Sequence, residues 1–252
     1  MGNIRLNNDI VTVENLVKRF GTFAAVDGIS LSVQRGQIYG FLGANGAGKT
    51  TTIRILCGLL KATSGQAIVA GIDIIKDPEA VKPRIGYMSQ KFSLYEDLTV
   101  RENLEFYGGV YRLGNSVFKQ QFSDVTKRLS ISDIIDSLVI DLPAGWKQRL
   151  ALACSILHQP EILFLDEPTS GVDPLARRAF WRLIYDLASD GTSVIVTTHY
   201  MDEAEACERI AIMHAGKIIA EGTIDELKSA ENADSVQQVF ISRVKSAMQQ
   251  VS

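Results

Sequence analysis

Apolar and polar positions alternate along the opening of the chain, where residues 10–20 and 29–34 have the pattern of short β-strands. Because Asp27 and Gly28 between them form a turn-type pair, we predict an antiparallel opening that turns at this point. Residues 37–42 form a further apolar strand that runs into a glycine-rich segment. A helical pattern follows, and its predicted apolar face holds Ile53, Leu56, Leu59 and Leu60.

Strand and helix patterns then alternate along the chain. Further strands are predicted at residues 66–71, 84–89, 161–168, 192–199, 209–216 and 217–222. One helix is predicted to start at Asp77-Pro78, and another runs from Pro174 to about Ser189. This alternation predicts a buried and mostly parallel sheet.

The region from about residue 96 to 156 has a different character. Its long stretches are compatible with helices, and Thr99 and Glu102 have the spacing of a capping pair. Strand patterns are almost missing here, so a helical insertion is the simplest interpretation. The tail from Thr223 predicts a short helix, a polar stretch and a final amphipathic segment with Val236, Val239, Phe240 and Val244.

Composition narrows the class of protein. The 252 residues are 46% hydrophobic and 22% charged, which excludes a disordered or collagen-like chain and allows one large domain or two small ones. A formal net charge of −3 disfavours binding to nucleic acid. No apolar stretch approaches the roughly 20 residues that span a bilayer. The three cysteines lack disulfide or zinc spacing, which is typical of a reducing cytoplasm.

Residues 43–50, GANGAGKT, match the phosphate-loop pattern G-x-x-x-x-G-K-[ST] between a predicted strand and a predicted helix. Its glycines let backbone N–H groups converge on phosphate oxygens. Lys49 is expected to bridge the β- and γ-phosphates, Thr50 to bind Mg²⁺ and Thr51 to reach the α-phosphate. The predicted nucleotide-binding set in this loop is Gly43, Asn45, Gly46, Ala47, Gly48, Lys49, Thr50 and Thr51. The alternative is a glycine-rich turn that only caps a helix.

A second apolar strand, ILFLDE, ends in two acids. Asp166 is expected to hold Mg²⁺ through water, and Glu167 to polarise the attacking water. Two acids after a strand are also common in solvated loops, but their pairing with a phosphate loop favours catalysis.

Five segments, GANGAGKT, MSQ, KQRLALACSIL, ILFLDEPTSGVD and TTH, follow one another in the order and spacing of an ATP-binding cassette. The sequence therefore resembles the ATP-binding cassette (ABC) family, and more narrowly its multidrug-exporter ATP-binding subunits. The resemblance implies an α/β fold, with a RecA-like P-loop NTPase core, an antiparallel β edge and an inserted helical subdomain. We expect the core at 1–88 and 157–222, the helical signature subdomain at 89–156 and a C-terminal extension at 223–252.

The resemblance also assigns roles to individual residues. Phe20 matches the aromatic residue that stacks on adenine, although core packing is the alternative. Gln90 matches the glutamine that touches Mg²⁺ or the attacking water, and His199 matches the switch histidine at the γ-phosphate. Asp173 matches a residue of the loop that crosses the dimer interface. The expected catalytic set is therefore Glu167, His199 and Gln90, and the expected metal set is Thr50, Gln90 and Asp166.

The family's signature, LSGGQ, is altered in this chain. It corresponds to Leu142, Pro143, Ala144, Gly145 and Trp146, of which the first four belong to the predicted nucleotide-binding set. Pro143 offers neither a hydroxyl nor a backbone N–H, so two hydrogen-bond donors are missing there. One interpretation is a working variant of the exporter subgroup, and the other is a degenerate site that closes on ATP but hydrolyses it slowly. The intact Glu167 and His199 favour an active ATPase.

The function that the resemblance implies is ATP hydrolysis that powers export of a drug or other amphiphile through a separate permease. Two cassettes, as a homodimer or heterodimer, would close on two Mg-ATP at the cytoplasmic face of the membrane. Membrane contact is expected only through the permease, whose docking groove would include Phe92, Leu94 and Tyr95. Local packing of these residues within the helical subdomain is the alternative for this groove. The alternatives are a regulatory ATP clamp and a soluble cassette protein without a membrane partner.

Overall fold

The computed structural model describes residues 8–91 and 93–249. Its strands, in chain order, are β1 (Asp9–Phe20), β2 (Phe23–Gln34), β3 (Ile38–Leu42), β4 (Ser64–Val69), β5 (Ile72–Asp73), β6 (Ile85–Met88), β7 (Ile162–Asp166), β8 (Ser193–Thr198), β9 (Arg209–His214) and β10 (Lys217–Gly222). Its helices are α1 (Lys49–Leu56), α2 (Pro78–Val81), α3 (Val100–Val110), α4 (Asn115–Arg128), α5 (Ala144–Ile156), α6 (Pro174–Ser189), α7 (Met201–Ala204), α8 (Ile224–Glu231) and α9 (Val236–Gln249).

The larger sheet has the strand order β10-β9-β3-β8-β7-β6, and only β10 joins it in the antiparallel sense. Every residue of β3, β7 and β8 is buried, as expected for central parallel strands covered on both faces. The register pairs Leu42 with Thr198 and Asp166 with Thr197. Because these strands are parallel, their carboxyl ends lie side by side at one edge of the sheet, where ligands of α/β proteins bind.

The smaller sheet, of order β2-β1-β4-β5, is antiparallel and forms the predicted antiparallel edge. The predicted turn at Asp27-Gly28 is wrong, because β1 and β2 pair from Phe20 opposite Phe23 and the chain reverses between those two residues. Gly28 lies inside β2 as an extra residue between the paired positions Ile29 and Asp27, with a φ of 71°. It is a β-bulge, which has the same preference for a left-handed glycine as a tight turn.

The region between β6 and β7 contains α3, α4 and α5, which confirms the predicted helical insertion. Thr99 and Glu102 form a reciprocal capping box at the start of α3. The predicted helices at Pro78 and Pro174 are also present, each capped by the preceding aspartate. The expected domain boundaries stay predictions.

The predicted helix after the phosphate loop is too long, because its predicted apolar face extends to Leu59 and Leu60. Helix α1 ends at Leu56, and Gly58 follows with a φ of 68°, so the helical repeat does not extend to Leu59. Leu59 is about half exposed. A glycine in the left-handed conformation commonly ends a helix. Gly58 was therefore the signal in the sequence that the helix stops before Leu59.

The tail packs against the core through α8 and α9. Thr223 and Glu226 form a capping box at the start of α8. Val236 and Val239 of α9 are buried in the cluster that also contains Leu227 and the β9 residues Ile210 and Ile212. None of the helices in the described ranges is long and apolar enough to cross a membrane.

Candidate active site

The phosphate loop joins β3 to α1 at the carboxyl edge of the large sheet. The N–H of Gly43 donates to the carbonyl oxygen of Thr198 at 3.3 Å, which ties the loop to the end of β8. Gly48 has a φ of 106°, and a Cβ there would lie 2.5 Å from the carbonyl oxygen of Ala25. Only glycine satisfies both constraints, so the loop can follow this path and place the N-terminus of α1 towards a phosphate.

Lys49, the first residue of α1, is 4% exposed. Its ammonium group donates to the carbonyl oxygens of Gly43 at 2.7 Å and Ala44 at 3.2 Å. It also lies 3.3 Å from Oε1 of Glu167. The cation is therefore held inside the loop and paired with the carboxylate that follows β7.

Thr50 and Asp166 bring a hydroxyl and a carboxylate together. Thr50 Oγ1 donates to Asp166 Oδ1 at 2.9 Å, and Thr197 Oγ1 donates to the same oxygen at 2.7 Å. Burial raises the pKa of Asp166, while the two hydroxyl hydrogen bonds oppose that shift. Hard oxygen donors of this kind suit Mg²⁺, which is usually bound by one or two protein oxygens together with phosphate oxygens and water. The residues present therefore fit the predicted ion.

Glu167 is the centre of the site. Its Oε2 accepts a hydrogen bond from Gln90 Nε2 at 3.2 Å and lies 3.2 Å from Nδ1 of His199. Its backbone is left-handed, with a φ of 48°, and its N–H donates to Thr197 Oγ1 at 2.9 Å. A non-glycine residue in this region carries a small strain, a feature that is concentrated at functional sites. The structure therefore places all three predicted catalytic side chains in contact.

A cavity of about 380 Å³ opens in front of this cluster. Its lining residues are Phe20, Phe23, Ala25, Asn45, Gly46, Ala47, Gly48, Lys49, Thr50, Thr51, Gln90 and Glu167. Phe20 and Phe23 are 51% and 63% exposed at the β1–β2 turn, so core packing, the alternative for Phe20, is wrong. Phe23 was missed from the sequence, although its position opposite Phe20 follows once the hairpin turn is placed between them.

The four signature residues do not line this cavity among the residues that the structure describes. Pro143 is the N-cap residue of α5, and it is exposed together with Ala144. Asp173 caps α6, where its carboxylate accepts hydrogen bonds from the N–H groups of Leu175 and Ala176, both at 3.0 Å. The signature residues therefore lie outside the lining of the phosphate-loop cavity of their own chain.

Three supporting residues were missed from the sequence. Gln148 is buried on α5 and donates to the carbonyl oxygen of Pro168 at 2.8 Å, which links the signature helix to the loop after Glu167. Thr197 joins Asp166 and Glu167, as described above. Glu203, on α7, lies buried behind the same loop. Thr197 could have been found from the sequence, because it stands inside the TTH segment. Gln148 and Glu203 could not, because each is one polar residue among others in a helical pattern.

The fold and the site together define a P-loop nucleotide-binding cassette. The model of the family described as "ABC transporter" matches residues 26–170. The chain belongs to the ABC transporter family.

Two curated relatives and two solved structures show the extent of the similarity. The "Probable multidrug ABC transporter ATP-binding protein YbhF" of Escherichia coli (strain K12) is 48% identical over 92% of this chain and 41% of its own length. The "Daunorubicin resistance ATP-binding protein DrrA3" of Streptomyces coeruleorubidus is 40% identical over 91% of this chain and 73% of its own length. The chain thus spans about two fifths of the YbhF protein.

Among solved structures, the "Structure of ATP binding subunit of ABC transporter" has a TM-score of 0.84 and 25% identity, over 93% of this chain and 99% of that one. A second, the "Dimeric structure of a post-hydrolysis state of the ATP-binding cassette MJ0796 bound to ADP and Pi", has a TM-score of 0.76 and 25% identity. It covers 84% of this chain and 98% of that one. These similarities confirm the expected ABC ATPase fold.

Proposed function

We propose that this chain binds and hydrolyses ATP as the cassette subunit of an exporter. The observation that carries the proposal is the convergence of Lys49, Gln90 and His199 on the carboxylate of Glu167 at the mouth of the phosphate loop. A glycine-rich turn that only caps a helix needs no such cluster. The cavity beside it, with two exposed aromatic rings at one end, has room for a nucleotide.

Each residue of the site has a role in ATP binding or hydrolysis that follows from its chemistry. Backbone N–H groups of residues 43–50 and the ammonium of Lys49 bind the phosphates, and Phe20 stacks on the base. Thr50 and Asp166, with Gln90 as the third residue of the proposed set, would hold Mg²⁺, and the ion when bound neutralises charge on the phosphate oxygens. Glu167 accepts a proton from the attacking water, and His199, beside the same carboxylate, orients that water.

A second cassette completes the site. The N–H groups of Ala144 and Gly145 stand in the first turn of α5, where a helix has no internal acceptor for them. Because Pro143 and Ala144 are exposed and do not line the phosphate-loop cavity of their own chain, they are free to reach a phosphate held by a partner chain. The dimer of the related cassette supports this arrangement, in which two copies of this chain, or this chain and another cassette, close on ATP.

The partner in the membrane is a separate permease. The relatives' names, with their references to multidrug transport and daunorubicin resistance, support export as the direction and a drug or other amphiphile as cargo. Tyr95 is exposed and packs edge-on against Phe106, with ring centroids 4.6 Å apart, which supports an apolar docking surface at Tyr95. Leu94, also predicted for this groove, is partly buried and packs against the core instead. Phe92, also predicted for this groove, lies outside the described residues. The chain would sit at the cytoplasmic face of the membrane through this contact.

Steady-state ATP hydrolysis by the purified chain tests the proposal. Wild type should turn over, whereas Glu167→Gln should abolish turnover and accumulate a dimer in ATP, detected by size-exclusion chromatography with light scattering. Glu14→Gln, at an exposed glutamate on β1, is the matched control and should hydrolyse like wild type. Hydrolysis by Glu167→Gln at the wild-type rate would contradict the assigned role. Absence of ATP binding to the wild type would contradict the proposal as a whole.

A further inference from the structure

Glu203 is a buried acid that the proposed chemistry does not use. It lies on α7, four positions after His199, and is 2% exposed. A carboxylate so far from water is stable only if it is paired and hydrogen-bonded, so its partners show what the structure gains from it. Those partners come from three separate segments of the chain.

Two of the partners are the loops that carry the proposed catalytic residues. Oε1 of Glu203 accepts a hydrogen bond from Thr169 Oγ1, and Oε2 accepts one from Thr198 Oγ1 at 2.6 Å. Thr169 stands two residues after Glu167, and Thr198 immediately precedes His199. One carboxylate therefore bridges the loop of Glu167 and the loop of His199.

The third partner supplies charge. Arg177 of α6 places Nε 3.4 Å from Oε1 of Glu203 and packs its guanidinium over Tyr200, 4.1 Å from the ring centroid. Arg177 also lies 3.3 Å from Oδ2 of Asp202, which points towards solvent. Arg177 thus neutralises the buried carboxylate of Glu203. Through this ion pair α6 is joined to both loops.

Further hydrogen bonds hold the two bridged loops in place near the site. Thr198 is fixed to the phosphate loop because its carbonyl oxygen accepts from Gly43 at 3.3 Å. The N–H of Ser170 donates to the carbonyl oxygen of Glu167 at 3.1 Å, so a shift of Thr169 is transmitted to the backbone of Glu167. Between the two loops, Glu167 Oε2 and His199 Nδ1 are 3.2 Å apart.

We propose that Glu203 is a positioning residue, whose carboxylate bridges Thr169 and Thr198 and so sets the separation of Glu167 and His199. The inference rests on the proposed roles of those two residues. Without the bridge, the two loops keep the contacts of Glu167 with Thr197 and His199 but lose the carboxylate that joins Thr169 to Thr198. The phosphate loop keeps its own contacts. The rate of hydrolysis should therefore fall with no loss of ATP affinity.

The test compares Glu203→Gln with Asp202→Asn in the full chain. Both changes remove one negative charge beside Arg177 on the same helix, but only Glu203 touches the catalytic loops. We expect Glu203→Gln to lower kcat about tenfold to a hundredfold, the range that follows from small misplacement of reacting groups. KM and the Kd for a fluorescent ATP analogue should stay at the wild-type value. Asp202→Asn should keep the wild-type kcat.

Thr169 gives a second test that does not alter a buried charge. Thr169→Val removes the hydroxyl with little change of shape and should lower kcat as Glu203→Gln does, whereas Thr169→Ser should restore it. The double variant Thr169→Val with Glu203→Gln should be no slower than the slower single variant, because both break one bridge. Thermal unfolding confirms that each variant is folded.

Three results would overturn the inference. These are a wild-type kcat in Glu203→Gln or in folded Thr169→Val, an equal loss in Asp202→Asn, and a loss of ATP affinity in parallel with kcat. Failure of the proposed function is a separate result, since it appears as absence of ATP binding to the wild type, and failure of the role of Glu167 appears as an active Glu167→Gln variant.

Discussion

Replacing Pro143 by serine tests how much the altered signature limits the proposed ATP hydrolysis. Pro143 is the N-cap residue of α5, with φ −56° and ψ 153°, a backbone conformation that serine also adopts at this position. The introduced hydroxyl can accept a hydrogen bond from an N–H group in the first turn of α5. The same hydroxyl can donate to a phosphate held by a partner chain.

The effects on stability largely cancel. A serine N-cap contributes about 1 kcal/mol, and loss of the proline removes about 0.4–1 kcal/mol through the greater freedom of the unfolded chain. For a chain of this length 1 kcal/mol corresponds to about 2–4 °C in Tm. We therefore expect a Tm change smaller than this, measured by differential scanning fluorimetry.

The effect on rate distinguishes the two interpretations of the signature. If the N–H groups of Ala144 and Gly145 suffice for the partner's phosphate, the new hydroxyl adds little and kcat changes by less than about tenfold, or about 1.4 kcal/mol. If the missing donor limits turnover, a hydrogen bond to a charged group contributes about 1.5–3 kcal/mol and kcat rises more than tenfold. We expect the first result. The second would refute the reasoning that α5 alone supplies enough donors, with Glu167→Gln as the inactive reference in the same assay.

Further expectations concern binding, capping and pH. Phe20→Ala should weaken ATP binding about fivefold or more, because base stacking contributes about 1–3 kcal/mol, while Phe20→Trp should retain it in calorimetric titrations. Asp173→Ala should lower Tm by about 2–4 °C through loss of two capping hydrogen bonds, and an unchanged Tm would contradict this. Burial lowers the pKa of His158, so the unfolded state takes up its proton first and stability falls as pH drops below about 6.5. His158→Phe, which can keep the stacking on Tyr111, should lose less stability in urea unfolding at mildly acidic pH.

Much of the fold follows from local pattern. The strands before and after the phosphate loop, the capping box at Thr99 and the helix at Pro174 each depend on neighbouring residues, which the sequence displays directly. The turn at Asp27-Gly28 was predicted wrongly because a left-handed glycine fits both a turn and a bulge. Only the pairing of Phe20 with Phe23, a tertiary fact, decides between the two.

The candidate site shows the same difference between residues that local sequence predicts and residues that depend on the tertiary fold. Lys49, Asp166 and Glu167 stand in short motifs, and a few neighbouring residues are enough to predict their chemistry. Glu203 and Gln148 act through partners on other elements, Thr169 and Pro168, and nothing local distinguishes them from polar residues on a helix surface. That the signature residues do not line the phosphate-loop cavity of their own chain is likewise a consequence of the tertiary fold.

The pairing of Lys49 with Glu167 has a consequence for how phosphate binding and catalysis are linked. The carboxylate that is proposed to accept a proton lies 3.3 Å from the ammonium of Lys49 and accepts a hydrogen bond from Gln90. A phosphate group and the Glu167 carboxylate would therefore contact the same ammonium group, so Lys49 links the proposed phosphate site directly to the proposed base.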